Sequence, residues 1–235
     1  MSSVALIGPD GAGKSTISRM LQDSSGIPIK RLYMGVSVQS TNVILPTSRL
    51  AERLKQWKGR RSQKPAREAD ASARPHAPKK SLGGLLWSAA RLANRIAEEI
   101  YRQILSWAYQ AQGYLVLYDR HFVYDFSSSV APAGPEPLSR RLHRWWLEWF
   151  YPRPDLVIFL DAPGSALYSR KKELTPLELE RRRQAFLRVG KQLPNFVRVD
   201  ATQPLTDVFA EVSRQVTQLW EGRTNPSSPR RSAEV

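Results

Sequence analysis

Residues 8–15, Gly-Pro-Asp-Gly-Ala-Gly-Lys-Ser, satisfy the spacing G-x-x-x-x-G-K-[ST]. That spacing suits a polyphosphate. Gly8, Gly11 and Gly13 let backbone N–H groups converge on the anion, with Pro9 and Ala12 between them. Lys14 brings a cation to the β- and γ-oxygens, and Ser15 offers Mg²⁺ a hydroxyl ligand, with Thr16 next in line. A glycine-rich turn without function is the plain alternative. The flanks decide against it. Residues 4–7 are apolar and β-prone, and residues 15–22 continue as a helix whose N-terminal dipole faces the loop. A nucleotide with Mg²⁺ is the expected ligand. Asp10 is out of place beside phosphates. It is either a turn-former ahead of Gly11 or an acceptor for a substrate hydroxyl.

Two further stretches carry candidate chemistry. In "LYDRHFVYDF" (residues 117–126), Asp119 and Arg120 follow directly on a β-rich run. The carboxylate suits the water shell of a magnesium ion, and the guanidinium suits a phosphate gripped bidentately. The alternative is a surface ion pair. Asp125 is a weaker carboxylate, equally readable as a helix cap. In "SRKKELTPLELERRR" (residues 169–183), basic residues crowd around a predicted helix start: Thr175 caps, Pro176 takes the first helical position and Glu178 completes a capping box. Such a run is either a solvated face or a mobile lid that brings Arg170, Lys171 or Lys172 to a transferring group.

Positioning these residues requires a scaffold, and the sequence supplies one. Five β-rich runs fall at residues 4–7, 29–33, 114–118, 156–160 and 196–199. The fourth is apolar without alternation, as a strand covered on both faces would be. Helical patterns separate them. Leu85, Ala89, Leu92, Ile96, Ile100, Ile104 and Trp107 form one apolar stripe, with Arg91, Arg95, Glu98, Glu99 and Arg102 largely outside it. Residues 139–151, with Trp145, Trp146, Trp149 and Phe150, are expected to place their stripe in the core. A base-stacking or membrane-surface helix is the lesser alternative. Leu205, Phe209, Val212, Val216 and Leu219 mark the last helix. Strands alternating with helices imply an α/β fold, a parallel sheet with helices on both faces, and in such a sheet ligands bind beyond the strands' C-terminal ends.

The chain carries 36 Lys and Arg against 21 Asp and Glu, a net charge of +15. Polyanionic partners follow: nucleotides, nucleic acid or an anionic surface. Residues 58–80 hold much of the excess with almost nothing apolar, which is the composition of a disordered insertion, and the tail from residue 222 has the same character. The expected organisation is one domain over residues 1–221, with 58–82 as the insertion and 222–235 as a tail. The absence of cysteine excludes a disulfide framework and fits a reducing compartment. No run approaches the roughly 18 apolar residues of a membrane span. A cytoplasmic protein is expected, with a homodimer left open.

The combination resembles the thymidylate kinase family of P-loop nucleoside monophosphate kinases. The residues that carry it are "GPDGAGKST" (8–16), "DRH" (119–121), "PDLVIFLDAP" (154–163), the lid-like "SRKKEL" (169–174) and "VDATQPL" (199–205), in the family's order over most of the chain. The resemblance implies a P-loop fold with a five-stranded parallel sheet and a short lid, and phosphoryl transfer from ATP to a nucleoside monophosphate. It implies that Asp10 meets the acceptor's sugar hydroxyl, that Arg120 holds its phosphate, and that the stretch from Asp200 through Thr202 to Gln203 borders the adenine. Some members carry an arginine directly after the P-loop carboxylate, whereas others have glycine there and use lid arginines. Gly11 with a basic lid fits the second arrangement, which points to Arg170 for transition-state charge. The chain departs from the family at "LYMGVSVQS" (32–40), where an Arg-Glu-Pro-Gly-Gly-Thr stretch is expected, and at "SSSVAPAGPEP" (127–137), where a Tyr-Gln pair is expected. This places it with the divergent thymidylate-kinase-like branch. The acceptor that the resemblance implies is a nucleoside monophosphate, with dTMP the default, or a related phosphorylated small molecule. The competing class is an ATP-binding regulator or nucleic-acid-associated ATPase anchored by the basic insertion.

Overall fold

The structure, a computed structural model, describes residues 2–34, 82–121, 138–150 and 152–224. The chain divides into two compact units. One comprises residues 1–43 and 102–235 and holds the sheet; the other comprises residues 44–101, of which 82–101 are described.

Five parallel strands, β1 (Ser2–Ile7), β2 (Ile29–Tyr33), β3 (Leu115–Asp119), β4 (Leu156–Asp161) and β5 (Phe196–Asp200), form one sheet in the order β2-β3-β1-β4-β5. The helices are α1 (Lys14–Ser24), α2 (Leu82–Ala111), α3 (Leu138–Phe150), α4 (Gly164–Arg170), α5 (Pro176–Gly190) and α6 (Leu205–Thr224). Every residue of β1 and β4 is buried, as the unalternating apolar runs require. Successive side chains of β1 go to opposite faces. Val4 and Leu6 join Ile17, Leu21, Val212 and Val216 in one core layer. Ala5 and Ile7 join Val116, Tyr118, Leu147 and Phe186 in the other. Because all strands run the same way, their C-terminal ends share one edge. The register pairs Leu6 with Asp119 and Asp161 with Asp200 there.

Three expectations need correction. In the part of α2 that belongs to the sheet unit the stripe is inverted: Ile104 is 52% and Trp107 47% exposed, while Arg102, Gln103 and Ser106 are buried. The reason lies partly in the sheet. Tyr118 presents its hydroxyl toward α2, and Ser106 meets it at 2.6 Å with Gln110 extending the chain at 2.9 Å. A buried hydroxyl calls for a polar partner, which an aliphatic stripe cannot provide. In α3, Trp146 and Leu147 pack into the core, but Trp145 and Trp149 are exposed together with Leu138 and Leu142. At about 100° per residue those four fall on one face, opposite Leu147 and buried His143. Finally, α6 runs on to Thr224, through residues assigned to the tail. Arg223 there pairs with Asp155, and the Thr224 hydroxyl donates to Trp220 O at 3.0 Å. Residues 58–80, Asp125, residues 127–137 and residues 225–235 lie outside the described residues. Among the described residues no helix is long and apolar enough to cross a membrane.

Candidate active site

The phosphate loop leaves the buried end of β1 and enters α1 at Lys14. Two of its glycines are there because nothing larger fits. A Cβ on Gly8 would lie 2.7 Å from Leu160 O, at the end of β4. Gly11 has φ +86, and its Cβ would lie 2.9 Å from Leu167 O in α4. The loop is thus wedged between β4 and α4. Gly13 is the N-cap of α1 and makes no side-chain cap, so the positive end of the α1 dipole faces the loop. Lys14 is 5% exposed, and its Nζ donates to Gly8 O and Pro9 O, both at 2.7 Å. Ala12 is buried beneath the loop, and Ser15 and Thr16 lie exposed on the first turn of α1.

β3 delivers Asp119 and Arg120 beside this loop. Asp119 is 4% exposed; its Oδ2 lies 3.4 Å from the Ser18 hydroxyl on α1, and its Oδ1 has no hydrogen-bond partner among the described residues. A buried carboxylate oxygen of that kind is costly unless something donates to it. Metal-bound water is such a donor, so Ser15 and Asp119 fit a magnesium ion held with a nucleotide. Arg120 has φ 73, a left-handed conformation that non-glycine residues adopt sparingly. Its N–H still donates to Leu6 O at 3.2 Å, while the turn aims its guanidinium at the loop, where Nη2 reaches Asp10 Oδ1 at 2.5 Å. The other oxygen of Asp10 accepts from Arg182 Nη1 at 3.0 Å. Burial opposes ionisation of Asp10, but Arg120, Lys14 and Arg182 outweigh it and hold the carboxyl below its usual pKa.

Arg182 is the residue that sequence reasoning did not single out. The expected capping box is present: the Thr175 hydroxyl accepts from Glu178 N at 3.3 Å, and Thr175 N donates to Glu178 Oε2 at 3.0 Å. It starts α5 in the register that carries Arg182 to Asp10. Arg170 ends α4, is exposed and makes no ion pair with a described residue; Lys171 pairs with Glu173 at 3.1 Å. The visible signal for Arg182 was the run of three arginines at 181–183 on a capped helix. Arg183, one step round α5, goes elsewhere. Its Nε and Nη2 meet Asp161 at 2.6 and 3.1 Å, and Arg198 Nε from β5 meets the same carboxylate at 2.6 Å. Beyond β5, Asp200 closes a turn by accepting from Thr202 N at 2.9 Å, Thr202 Oγ1 at 2.6 Å and Gln203 Nε2 at 3.0 Å. Those bonds lower its pKa to about 2. This turn sits at the same sheet edge, with β4 between β5 and β1.

A phosphate loop, an Asp-Arg pair at the neighbouring strand end and an arginine-bearing helix that reaches the loop carboxylate thus lie together at the C-terminal ends of the strands. The chain is 31% identical over 225 residues to a thymidylate kinase from Lactobacillus helveticus (strain DPC 4571), a match spanning 89% of this chain and 92% of that one. The chain belongs to the thymidylate kinase family. It is a kinase-like phosphotransferase. Among solved structures it is similar to a deoxyadenosine kinase from M. mycoides with products dCMP and a flexible dCDP bound, at a TM-score of 0.51 and 15% identity, covering 92% of this chain and 99% of that one. That likeness is one of fold, the five-stranded parallel sheet with helices on both faces. No family model matches the chain.

Proposed function

We propose that this member of the thymidylate kinase family transfers the γ-phosphoryl group of ATP, with Mg²⁺, to a nucleoside monophosphate, with dTMP as the first candidate, or to a related phosphorylated small molecule. The observation that carries the reading is the grip of Arg120 and Arg182 on Asp10 beside Lys14. Cations from two separate elements converge on the mouth of a phosphate loop, where an acceptor phosphate and a donor phosphate must meet.

In this reading the loop amides and Lys14 hold the donor phosphates, and Ser15 and Asp119 hold the metal. Metal-bound ATP supplies the phosphoryl group and neutralises part of its charge. Little covalent chemistry is left to the protein, so positioning and electrostatics carry the catalysis. Arg120, rigid at the end of β3, holds the acceptor phosphate. Arg182, one-third exposed on α5, provides charge to the transferring group. Arg170, with Lys171 and Lys172, is the second source of that charge. Asp10 holds the two arginines apart from each other and accepts a hydroxyl of the acceptor. The turn from Asp200 to Gln203 borders the donor base.

The test is ADP release across nucleoside monophosphates and phosphorylated sugars. Release that depends on an added acceptor is expected. ADP release that is the same with every acceptor and with none overturns the kinase reading in favour of an ATPase.

A further inference from the structure

Asp161 belongs to neither the phosphate loop nor the acceptor side, yet it is 3% exposed and takes three guanidinium hydrogen bonds, two of them at 2.6 Å. A buried carboxylate so fully paired is a junction. Its partners come from two elements: Arg183 from α5 and Arg198 from β5. Its backbone carbonyl accepts from Ala201 N at 2.7 Å, in the turn that follows β5. Arg183 also meets Glu180 Oε1 at 2.8 Å, and Glu180 Oε2 accepts from Gly164 N at 3.0 Å, at the start of α4. A Cβ on Gly164 would clash with Pro176 O and lie 2.9 Å from Glu180 N, so α4 and α5 are in direct backbone contact there. These links fix α5 against β4, α4 and the β5 turn.

We infer that Asp161, acting through Arg183, is the positioning residue that sets α5 so that Arg182 reaches the phosphate loop. The inference rests on the phosphotransferase reading, in which Arg182 faces the transferring group. Adjacent residues on a helix point about 100° apart. With Arg183 tied to the end of β4, Arg182 is aimed at Asp10; with that tie loosened, α5 is free to roll. Arg198 couples the same carboxylate to the strand that leads to the Asp200 turn, so the turn and the arginine share one anchor.

Two measurements test this independently. The first needs no substrate: the Nη1–H resonance of Arg182, the group that donates to Asp10 and assigned by its loss in Arg182→Lys, should exchange slowly in the parent protein and rapidly in Asp161→Asn. The second is a kinetic cycle. Asp161→Asn should lower kcat on the order of 10²-fold, as misplacement of a catalytic group does, with ATP affinity by titration little changed. In an Arg182→Ala background the same substitution should change kcat by no more than about twofold, the scatter of additive effects. Arg183→Lys, which leaves Asp161 paired with Arg198, should reproduce both effects if Asp161→Asn does not fold. A slowly exchanging Arg182 resonance in Asp161→Asn, or an equal loss of kcat in both backgrounds, overturns the inference. A lost resonance combined with full kcat in Arg182→Ala upholds the positioning role and overturns instead the role of Arg182 in transfer.

Discussion

Arg182 Nη1 and Asp10 Oδ2 lie 3.0 Å apart in space and 172 residues apart in sequence. The contact joins the first loop of the chain to a helix near its end. It leaves Asp10 sharing its two oxygens between Arg182 and Arg120. A carboxylate that bridges two arginines fixes their separation, and in the proposed reaction that separation sets the space left for the phosphoryl group.

The three arginines should therefore separate kinetically. Arg120→Ala should raise the acceptor KM strongly with a smaller loss of kcat, since a rigid strand-end residue binds ground and transition states alike. Arg182→Ala should lower kcat with little change in KM. A transition-state arginine is worth about 10³–10⁵ in rate, and the low end is expected because Lys171 and Lys172 lie near α5 in the chain. Arg170→Ala, exposed and without an ion pair among the described residues, should cost less than Arg182→Ala. Steady-state kinetics decide it. The reverse order, with Arg170→Ala the costlier, would return the role to the end of α4.

Lys14→Ala should abolish transfer while the protein stays folded. Lys14 is buried, and its ammonium donates to loop carbonyls, Gly8 O and Pro9 O, and not to the core. Its removal leaves two acceptors short of a donor, at roughly 1–3 kcal/mol each where water cannot replace it. Turnover together with circular dichroism checks both halves of this expectation. Parent-level turnover in a folded variant would remove Lys14 from the chemistry.

The sheet was legible because each strand is a short apolar run bounded by turn residues, and β2 falls where its pattern predicts, at Ile29–Tyr33. The capping box at Thr175 was legible because capping is local chemistry. What the sequence did not disclose was orientation. Arg181, Arg182 and Arg183 are alike as letters, and only the tertiary path of α5 sends Arg182 to Asp10 and Arg183 to Asp161. The inversion of α2 has a similar origin. The apolar stripe was visible, but the direction in which the Tyr118 hydroxyl leaves its strand was not. Asp161 carries no signal in the sequence beyond ending an apolar run, since its two side-chain partners, Arg183 and Arg198, are distant from it.

Stability should fall in acid in two stages. Burial lowers the pKa of His121 from 6.5 to about 3. A group whose folded pKa is depressed contributes stability above its unfolded pKa, and that contribution is lost as pH falls. The unfolded chain thus gains a proton from about pH 6.5 downward, and stability drops by about 1.4 kcal/mol per pH unit between the two values. Asp10, also depressed, adds its loss only below the ordinary aspartate value of 3.8. Urea unfolding at a series of pH values should show His121→Gln with a flatter profile between about pH 6 and pH 4. Asp10→Asn should differ in slope only below that range. An unchanged profile in His121→Gln would assign the first stage to another group.

The phosphate loop should not tolerate the arginine that other family members carry after the loop carboxylate. Here that position is Gly11, with φ +86 and with the Leu167 carbonyl 2.9 Å from where a Cβ would stand. A side chain there must strain the backbone and push α4 away. The strain alone costs on the order of 1–3 kcal/mol. Displacement of α4 adds a functional cost, because α4 meets α5 at Gly164, and α5 holds Arg182. Gly11→Ala should accordingly lower Tm and reduce kcat. Gly11→Arg should do both more severely, and should not restore transfer to Arg182→Ala even though it puts a guanidinium beside the phosphates. Recovery of kcat in the Gly11→Arg, Arg182→Ala double variant would show that charge alone is needed at the loop. Its absence, with ATP still bound by titration, would show that the arginine must arrive from α5.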